Sequence, residues 1–542
     1  MAELTDISTV ENPACALGDL LRRRALEAPD RPFCYVAGSG YTFAELDRRT
    51  DEIATGLAAH GVKRGDRVAL VMPNRIEFLE AYFGVAKLGA INVPLNAFLK
   101  GDFLRHQLAD SEASVLIADG PGCAAVEPLL AELPAMRLIA YLDPELPSIT
   151  GVGNVLPFEA VAEPGGVPPA VDLTTDDTMS ILYTSGTTGY PKGCVLPHGF
   201  YLRVGTLSIQ ALGLEADDTL FTALPMFHLS GGVWMIASAL IRGIPAHFEP
   251  QFSARTFLTN AAKAHATVAL GVGAMCHALM ATPPGAADHA HGIRLMMVAP
   301  LNTTVQTQFK ARFGIEPWVE VYGQTECMPL SFNPAADEGD PSGCGFAAPD
   351  VEVALLGDDL KLVAQGEVGE ICVRPKQKYA MFDQYWQNPE ATLKAFRGLW
   401  YHTGDSGRRL PSGQLQFVDR KADVLRRKGE NVSSLELEGA IRGLPKVAEV
   451  AVIAVPSEIG EDEIKACLVV QPGETLSPGE LFDELRTAVP YFAMPRYVEV
   501  MDALPVNAMN RVLKHLLKTR SNGDGVWDFA NLGLTVKADQ RR

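Results

Sequence analysis

A loop rich in glycine and hydroxyl side chains is the first stretch whose residue types could do chemistry. It reads Thr-Ser-Gly-Thr-Thr-Gly-Tyr-Pro-Lys over residues 184–192 and follows a short apolar run over 179–183. Glycines let the backbone turn tightly, so successive N–H groups can form a concave nest for an anion. The hydroxyl groups add donors, and Lys192 adds one mobile positive charge. The stretch therefore predicts a clamp for a polyphosphate, although it lacks the G-x-x-x-x-G-K-[ST] spacing of the Walker A loop.

A second cluster, Tyr-Gly-Gln-Thr-Glu at 322–326, follows a largely apolar run over 317–321. Ligands of doubly wound sheets collect beyond the carboxyl ends of the strands. In that setting Tyr322 could cover a purine, Thr325 could donate to an α-phosphate, and Glu326 could hold Mg²⁺ through its carboxylate. The residues alone leave open a simpler alternative, in which the glutamate only stabilises a helix N-terminus.

Further candidates lie on both sides of this cluster. Asp405, in a Thr-Gly-Asp sequence, could accept hydrogen bonds from both hydroxyls of a ribose. Arg420 follows Asp419, and by itself such a pair is ordinary at a protein surface. Gly429 beside the basic residue Lys428 would let an extended, phosphate-bearing thiol pass closely, but a basic loop that ends in a serine helix cap would have the same composition. His228, in Pro-Met-Phe-His-Leu-Ser-Gly, is either a packed core histidine or part of a substrate pocket.

The elements that must position these loops alternate between amphipathic helices and short apolar strands. Thr42 followed by Glu45 has the spacing of a capping box at a helix start. The alternation beyond it predicts a parallel sheet with helices on both faces, and a second such series covers residues 255–332. Residues 343–420 are rich in glycine with alternating apolar positions, which favours a small barrel-like sheet.

The predicted fold class is therefore α/β. A large N-terminal domain over 1–420 should hold two doubly wound sheets and the barrel-like sheet. A small, mobile α+β domain should follow over 421–521, and a polar tail over 522–542. A chain of 542 residues is long enough for two or more domains, each with its own core.

The composition and net charge of the chain argue against several classes of binding partner and favour one cellular compartment. A net charge of −18 argues against nonspecific binding to nucleic acid and against an anionic membrane surface. Nine scattered cysteines without a C-x-x-C pair favour reduced thiols in the cytoplasm. The acidic N-terminus does not resemble a signal peptide, and no apolar run is long enough to predict a transmembrane helix.

The loop at 183–193, taken with Tyr-Gly-Gln-Thr-Glu, Thr-Gly-Asp and Asp-Arg in that order, resembles the adenylate-forming superfamily. That superfamily includes acyl-CoA synthetases, luciferases and the adenylation domains of peptide synthetases. The stretches DRKADVLRRKGENVSSLELE, EDEIKACLVVQPGETLS and YFAMPRYVEV are similar to the branch of crotonobetaine/carnitine-CoA ligases. The resemblance covers roughly residues 17–520.

The resemblance implies an ATP-dependent carboxylic acid:CoA ligase that forms an acyl-adenylate, releases pyrophosphate and then makes the thioester. ATP, Mg²⁺ and coenzyme A would be required, with a small-molecule acid as substrate. The expected assembly, which does not follow from the resemblance, is a homodimer. By resemblance the catalytic residues would be Thr184, Lys192, His228, Glu326, Arg511 and Lys514, with Glu326 as the metal ligand. The implied nucleotide and coenzyme A contacts are Thr184, Ser185, Gly186, Thr187, Thr188, Gly189, Lys192, Ala299, Pro300, Glu320, Val321, Tyr322, Gly323, Thr325, Asp405, Arg420, Lys428 and Gly429.

The chain departs from the superfamily near its C-terminus, where a lysine usually orients the carboxylate and the α-phosphate. Aligning Leu504-Pro505 places Arg511 at that lysine, and Lys514 could serve if the register shifts. Arginine keeps the charge but changes the geometry of the donors. Two alternative functions therefore stay open at this point: an adenylating enzyme that loads a carrier-protein thiol, and a non-catalytic nucleotide-binding relative.

Overall fold

The computed structural model describes residues 16–99, 101–145, 149–184, 191–299, 301, 303–337, 339–420, 424–427, 430–456, 462–489, 493–507, 512–523 and 525–536. The chain divides into two compact units. The first draws on the ranges 1–353, 373–401 and 411–415, and the second on 354–372, 402–410 and 416–542.

A seven-stranded sheet of the first unit carries the predicted phosphate loop. Six of its strands run parallel, and the last pairs antiparallel with its neighbour. The strand Arg67–Val71 is central, and its residues 68–71 are fully buried, as expected for a parallel strand covered on both faces. In spatial order the strands are Asn154–Pro157, Leu138–Tyr141, Val115–Ala118, Arg67–Val71, Ile91–Leu95, Thr178–Thr184 and Lys192–Pro197.

A second seven-stranded sheet lies in the same unit and confirms the second predicted βα series. Its first six strands are parallel, and the last is an antiparallel edge strand. In spatial order the strands are Glu316–Trp318, Leu295–Val298, Val268–Gly271, Leu220–Thr222, Ala246–Phe248, Pro32–Val36 and Ser39–Thr42.

Helices connect the parallel strands of both sheets. The capping box at Thr42 is confirmed, because its side chain accepts from the backbone of Glu45 and the Glu45 carboxylate accepts from the backbone of Thr42. The α-helices of the first unit are Leu17–Glu27, Phe43–Ala59, Ile76–Lys87, Gly101–Asp110, Gly120–Val126, His198–Leu212, Ile236–Arg242, Phe257–Lys263, Gly273–Met280, Thr303–Phe313 and Pro389–Ala395. Shorter turns of helix are Glu127–Glu132, Phe158–Ala160 and Ala286–Asp288, and Leu229–Met235 is a π-helix.

The chain beyond residue 320 forms smaller sheets, and the five-stranded one lies within 343–420, where the alternating pattern predicts a small sheet. A three-stranded antiparallel sheet consists of Val321–Gln324, Cys327–Phe332 and Phe346–Ala347. A five-stranded sheet, some of whose strands contribute residues to both units, consists of Val351–Leu356, Gly369–Pro375, Trp400–Arg409, Phe396–Arg397 and Leu415–Arg420.

The C-terminal part of the second unit is α+β, as predicted. Its hydrophobic core includes Leu437, Val452, Leu468 and Phe529. Its main sheet has the strands Val447–Pro456, Asp462–Val470, Tyr497–Val500 and Val526–Asp528, beside the hairpin Val424–Arg427 and Glu430–Ser433. The helices are Ser434–Arg442, Pro478–Ala488 and Lys514–Lys518. Among the described residues, none of the helices is both long and apolar enough to span a membrane.

Candidate active site

The two ends of the predicted phosphate loop meet in a β-hairpin. Strands Thr178–Thr184 and Lys192–Pro197 pair antiparallel, and the register places Thr184 directly opposite Lys192. The Thr184 hydroxyl lies 3.5 Å from the carbonyl oxygen of Lys192. The hairpin therefore holds Thr184 and Lys192 opposite each other at the base of the loop.

Glu326, the predicted magnesium ligand, lies in a β-hairpin turn and not at the start of a helix. Glu326 follows the strand Val321–Gln324 and precedes Cys327–Phe332, so it occupies the turn of a β-hairpin. The alternative of a helix N-terminus is therefore wrong. The Glu326 side chain is buried, and its Oε1 accepts a hydrogen bond of 2.7 Å from the hydroxyl of Tyr385.

Tyr385 also connects Glu326 to the phosphate loop. The Nζ atom of Lys192 lies 4.9 Å from the centroid of the Tyr385 ring, within the range of a cation–π contact. Cys194, two residues beyond Lys192, makes hydrogen-bond contacts with both Glu326 and Thr184. The structure thus brings together Thr184, Lys192 and Glu326, which are far apart in sequence.

The electrostatics of this cluster favour a cation beside Glu326. Burial raises the pKa of the Glu326 carboxyl, while the hydrogen bonds from Tyr385 and Cys194 and the charge of Lys192 oppose the rise only in part. A buried carboxylate that its neighbours do not fully compensate gains from a bound divalent cation. Carboxylate and hydroxyl oxygens are also the ligands that Mg²⁺ prefers, so these residues fit that ion.

The rest of the Tyr-Gly-Gln-Thr-Glu cluster lines the same hairpin. Tyr322 and Thr325 are half-buried, and Gln324 accepts a hydrogen bond of 3.1 Å from the hydroxyl of Tyr401. Gly323 packs so closely that an added Cβ would lie 2.4 Å from the sulfur of Met328. Only glycine therefore fits this position of the hairpin without displacing its neighbour.

Three other predicted nucleotide contacts of the first unit are Val321, Ala299 and Glu320. Val321 is buried and Ala299 is half-buried, at the end of a strand of the second seven-stranded sheet. The Glu320 carboxylate accepts a 2.6 Å hydrogen bond from Gln414, whose own amide oxygen accepts from the backbone of Asp340. The side chain of Glu320 therefore braces neighbouring loops.

His228 begins the π-helix Leu229–Met235. Its Nδ1 accepts from the backbone N–H of Ser230 at 3.4 Å, so the ring caps the helix start. Trp234 and Met235 are fully buried within the same helix. Short π-helical turns occur frequently at functional sites, because they reposition side chains at little cost to the rest of the helix.

Asp405 belongs to the second unit, where it lies buried on the strand Trp400–Arg409. Its backbone N–H donates to the hydroxyl of Thr403 at 3.1 Å. Gly404 between them adopts a φ of +72°, a conformation that glycine tolerates best. Arg420 ends the strand Leu415–Arg420 of the same unit.

Lys514 is engaged within the second unit. Its Nζ donates to the hydroxyl of Ser434 at 2.6 Å and lies 2.8 Å from a carboxylate oxygen of Glu438. That oxygen also accepts from the backbone N–H of Val452. The predicted site residues that lie outside the described part of the chain are Ser185, Gly186, Thr187, Thr188, Gly189, Pro300, Lys428, Gly429 and Arg511.

Sequence reasoning missed Tyr385 and Cys194, which complete the cluster around Glu326. Cys194 adjoins the predicted loop, so its strand position alone could have indicated it. Tyr385 lies 59 positions from Glu326 in an unremarkable Asp-Gln-Tyr-Trp sequence, and nothing in its surroundings signals the contact.

Comparisons with known proteins show the family of the chain. The profile of the family described as AMP-binding enzyme matches residues 21–386, and that of the AMP-binding enzyme C-terminal domain matches residues 436–510. The crotonobetaine/carnitine–CoA ligase of Salmonella arizonae is 34% identical over 484 residues, which cover 88% of this chain and 93% of the relative.

Two solved structures are similar over nearly their whole length. ATP-bound MatB from Rhodopseudomonas palustris has 28% identity and a TM-score of 0.81, with 92% of this chain and 98% of that chain covered. The o-succinylbenzoate CoA synthetase MenE from Bacillus subtilis, in complex with its acyl-adenylate intermediate, has 25% identity and a TM-score of 0.79, with 94% and 99% covered.

Proposed function

Because the chain belongs to the AMP-binding enzyme family, we propose that Thr184, Lys192 and Glu326 form the adenylation centre of this ATP-dependent carboxylic acid:CoA ligase. The chain is an acid–thiol ligase that acts through an acyl-adenylate, with a small carboxylic acid, ATP and coenzyme A as substrates. The predicted resemblance to the adenylate-forming superfamily and its crotonobetaine/carnitine-CoA ligase branch is thereby confirmed.

One observation carries the assignment of the centre. The Tyr385 ring lies under the Lys192 ammonium group while its hydroxyl donates to Glu326, so one side chain joins the phosphate loop to the predicted metal ligand. During adenylation the substrate carboxylate attacks the α-phosphorus and pyrophosphate leaves. Lys192 and the Thr184 hydroxyl would stabilise charge on the phosphate oxygens, and their fixed positions would contribute mainly through orientation and electrostatics.

Glu326 is the residue that would hold Mg²⁺, which when bound neutralises charge on the triphosphate. Tyr385 would hold the carboxylate in place and keep it ionised. Burial raises the pKa of the Glu326 carboxyl, and both the Tyr385 hydrogen bond and a bound cation would oppose that rise by favouring the ionised form.

The second unit would supply the remaining contacts. Asp405 would accept the ribose hydroxyls and Arg420 would contact ribose and phosphate, whereas Lys428 and Gly429 would border the path of the coenzyme A thiol. We also propose domain boundaries at 420 and 521, with the C-terminal domain rotating between the two half-reactions. Limited proteolysis in the presence of ATP or of an acyl-adenylate analogue tests those boundaries.

We assign the usual lysine role in adenylation to Arg511 rather than to Lys514. The support is that Lys514 is already engaged by Ser434 and Glu438. Arg511→Ala should lower pyrophosphate exchange with little change in melting temperature. Lys514→Ala should instead lower the melting temperature, since it leaves the buried Glu438 without its cation. A large loss of exchange in Lys514→Ala at unchanged stability would reverse the assignment.

The pocket for the acid would include His228, Trp234 and Met235 from the π-helix. Its walls come from distant segments, so the acid is best identified by measuring pyrophosphate release with short, branched, aromatic and betaine acids. The betaine acids are included because the relatives at about one-third identity are named crotonobetaine/carnitine–CoA ligases.

We further propose a cytoplasmic homodimer. The eight described cysteines are all free and buried, which supports a reducing compartment. Light scattering of the purified chain tests the assembly, with a monomer as the result that would exclude it.

The function is tested by ATP–pyrophosphate exchange and by acyl-CoA formation with the best acid. Lys192→Ala should abolish most of the exchange at unchanged stability. Lys361→Ala removes an exposed lysine paired only with a neighbouring aspartate and serves as the matched control. Equal exchange in the two variants would exclude Lys192 from the adenylation centre.

A further inference from the structure

Three side chains that are all common metal ligands converge inside the second unit. Glu370 and Cys372 lie two residues apart on the strand Gly369–Pro375, so they point to the same face of the sheet. His402 reaches them from the strand Trp400–Arg409. All three are buried, and one ligand atom from each lies within 4.8 Å of the other two.

The separations suit a tetrahedral ion. The Sγ of Cys372 lies 3.4 Å from Nδ1 of His402, and that nitrogen lies 3.0 Å from a carboxylate oxygen of Glu370. With Zn–S of about 2.3 Å and Zn–N or Zn–O of about 2.0 Å, tetrahedral angles place sulfur and nitrogen about 3.5 Å apart. The same angles place nitrogen and oxygen about 3.3 Å apart. The sulfur–nitrogen and nitrogen–oxygen separations therefore lie within about 0.3 Å of those that a tetrahedral ion requires.

The charges also suit a divalent ion. Metal binding requires the thiolate and a ring nitrogen without a proton. The thiol proton would leave to solvent, and the imidazole proton would move from Nδ1 to Nε2. A carboxylate and a thiolate then balance the two charges of the ion, which leaves a neutral group in a buried site. Glutamate, cysteine and histidine together are the ligand types that zinc takes in proteins.

From these observations we propose that Glu370, Cys372 and His402 form a Zn²⁺ site that regulates nucleotide binding. The link to the nucleotide runs through the second oxygen of Glu370, which accepts from the backbone N–H of Gly404 at 3.2 Å. Thr403 donates its hydroxyl to the backbone of the ligand strand at 2.7 Å and accepts from the N–H of Asp405.

An ion that draws the Glu370 carboxylate toward itself therefore loosens the turn that fixes Asp405. The expected consequence is weaker binding of ATP, and this part of the inference rests on the proposed ribose contact of Asp405. The site would make the ligase sensitive to free zinc at the nucleotide-binding step, while the acid pocket and the phosphate loop lie in the other unit.

Metal binding is tested first, without any assay of activity. The full-length protein is titrated with Co²⁺, whose thiolate complexes absorb in the near ultraviolet, and with Zn²⁺ against a chromophoric chelator. We expect one equivalent in the parent, the loss of that equivalent in Cys372→Ala and His402→Gln, and its retention in Cys467→Ala. Cys467 is a buried cysteine of the same unit and provides the matched control.

Thermal melts of the variants show that each one is folded before it is titrated. A parent that binds no cobalt at micromolar concentrations, or a band of equal intensity in all four proteins, would overturn the site. The second outcome would indicate an adventitious surface ion only.

The regulatory link is tested by the KM for ATP with and without one equivalent of Zn²⁺. We expect the KM to rise several-fold in the parent and in Cys467→Ala and to stay constant in Cys372→Ala. A constant KM in a parent that carries the ion would overturn the link. An unaltered KM in metal-free Asp405→Ala would instead overturn the ribose contact assigned to Asp405, so the two failures are distinguishable.

Discussion

Replacing Tyr385 with phenylalanine removes the hydroxyl that donates to Glu326 but keeps the ring beneath Lys192. A hydrogen bond to a charged group contributes about 1.5–3 kcal/mol. Because this bond favours the ionised carboxylate, losing it should raise the pKa of the Glu326 carboxyl further. The carboxyl already has a pKa above its usual value because of burial, so the further rise makes it protonated over a wider range.

The expected result is a shift of the acidic limb of the pH–rate profile. Pyrophosphate exchange by Tyr385→Phe should fall about tenfold or more on that limb and recover as the pH rises past the new pKa of Glu326. The Mg²⁺ concentration for half-maximal rate should also increase below that pKa, since protons and the ion compete for one carboxylate. Exchange is measured from pH 5.5 to 9 at several Mg²⁺ concentrations.

A second tyrosine provides the control. Tyr41 donates its hydroxyl to the buried carboxylate of Glu80 at the same distance of 2.7 Å, in the N-terminal part of the first unit. Tyr41→Phe should therefore cost comparable stability and leave the pH profile of exchange unaltered. If Tyr385→Phe has the parental profile and Mg²⁺ dependence, the proposed role of Tyr385 in keeping Glu326 ionised is refuted.

Three further predictions concern stability. Arg203→Met should lower the free energy of unfolding by about 3–5 kcal/mol, because it leaves Asp350 as a buried charge without its partner. Denaturant titration measures this free energy, and a loss below about 1 kcal/mol would contradict the prediction. Burial lowers the pKa of His198 to about 4, so the folded state should lose stability as the pH falls from about 6.5 toward 4, where only the unfolded chain binds the proton. His198→Gln should flatten that part of the stability curve, and an identical slope would exclude His198 as a cause. Thr42→Ala should cost about 1 kcal/mol through loss of the capping box with Glu45, and a melt unchanged within error would argue against it.

Local signals in the sequence predicted much of the fold. The spacing of Thr42 and Glu45 predicted a helix start, and the structure shows a comparable cap at Ser477, whose hydroxyl accepts from the backbone of Glu480. Such caps depend on residues three apart, so they can be read without knowledge of the tertiary structure. The alternation of helices and apolar strands likewise predicted both parallel sheets, since each segment buries a face against its neighbours.

The region 119–172 shows where such reading fails. A composition rich in proline, glycine and alanine is typical of connections, yet the structure has the strands Leu138–Tyr141 and Asn154–Pro157 there, at one edge of the first sheet. Strands of four residues carry too little pattern to predict, and they form because a neighbouring strand offers hydrogen bonds.

The candidate site likewise contains residues that the sequence could identify and one that it could not. Thr184, Lys192 and Glu326 lie in motifs that the chain carries as contiguous strings, so the sequence could nominate them. Tyr385 joins them only after folding brings two distant turns together. Its hydroxyl donates to a carboxylate and its ring lies beneath a lysine ammonium group. Neither contact requires a fixed spacing in the sequence, so no motif could reveal it.

The most direct test of the account is a double-mutant cycle of Lys192→Ala and Glu326→Gln, measured by ATP–pyrophosphate exchange. If both residues act on one bound triphosphate and communicate through Tyr385, the double variant should lose far less activity than the product of the two single losses. Losses that multiply, so that the free-energy changes add within about 0.5 kcal/mol, would show that the two residues act independently and would contradict the proposed centre.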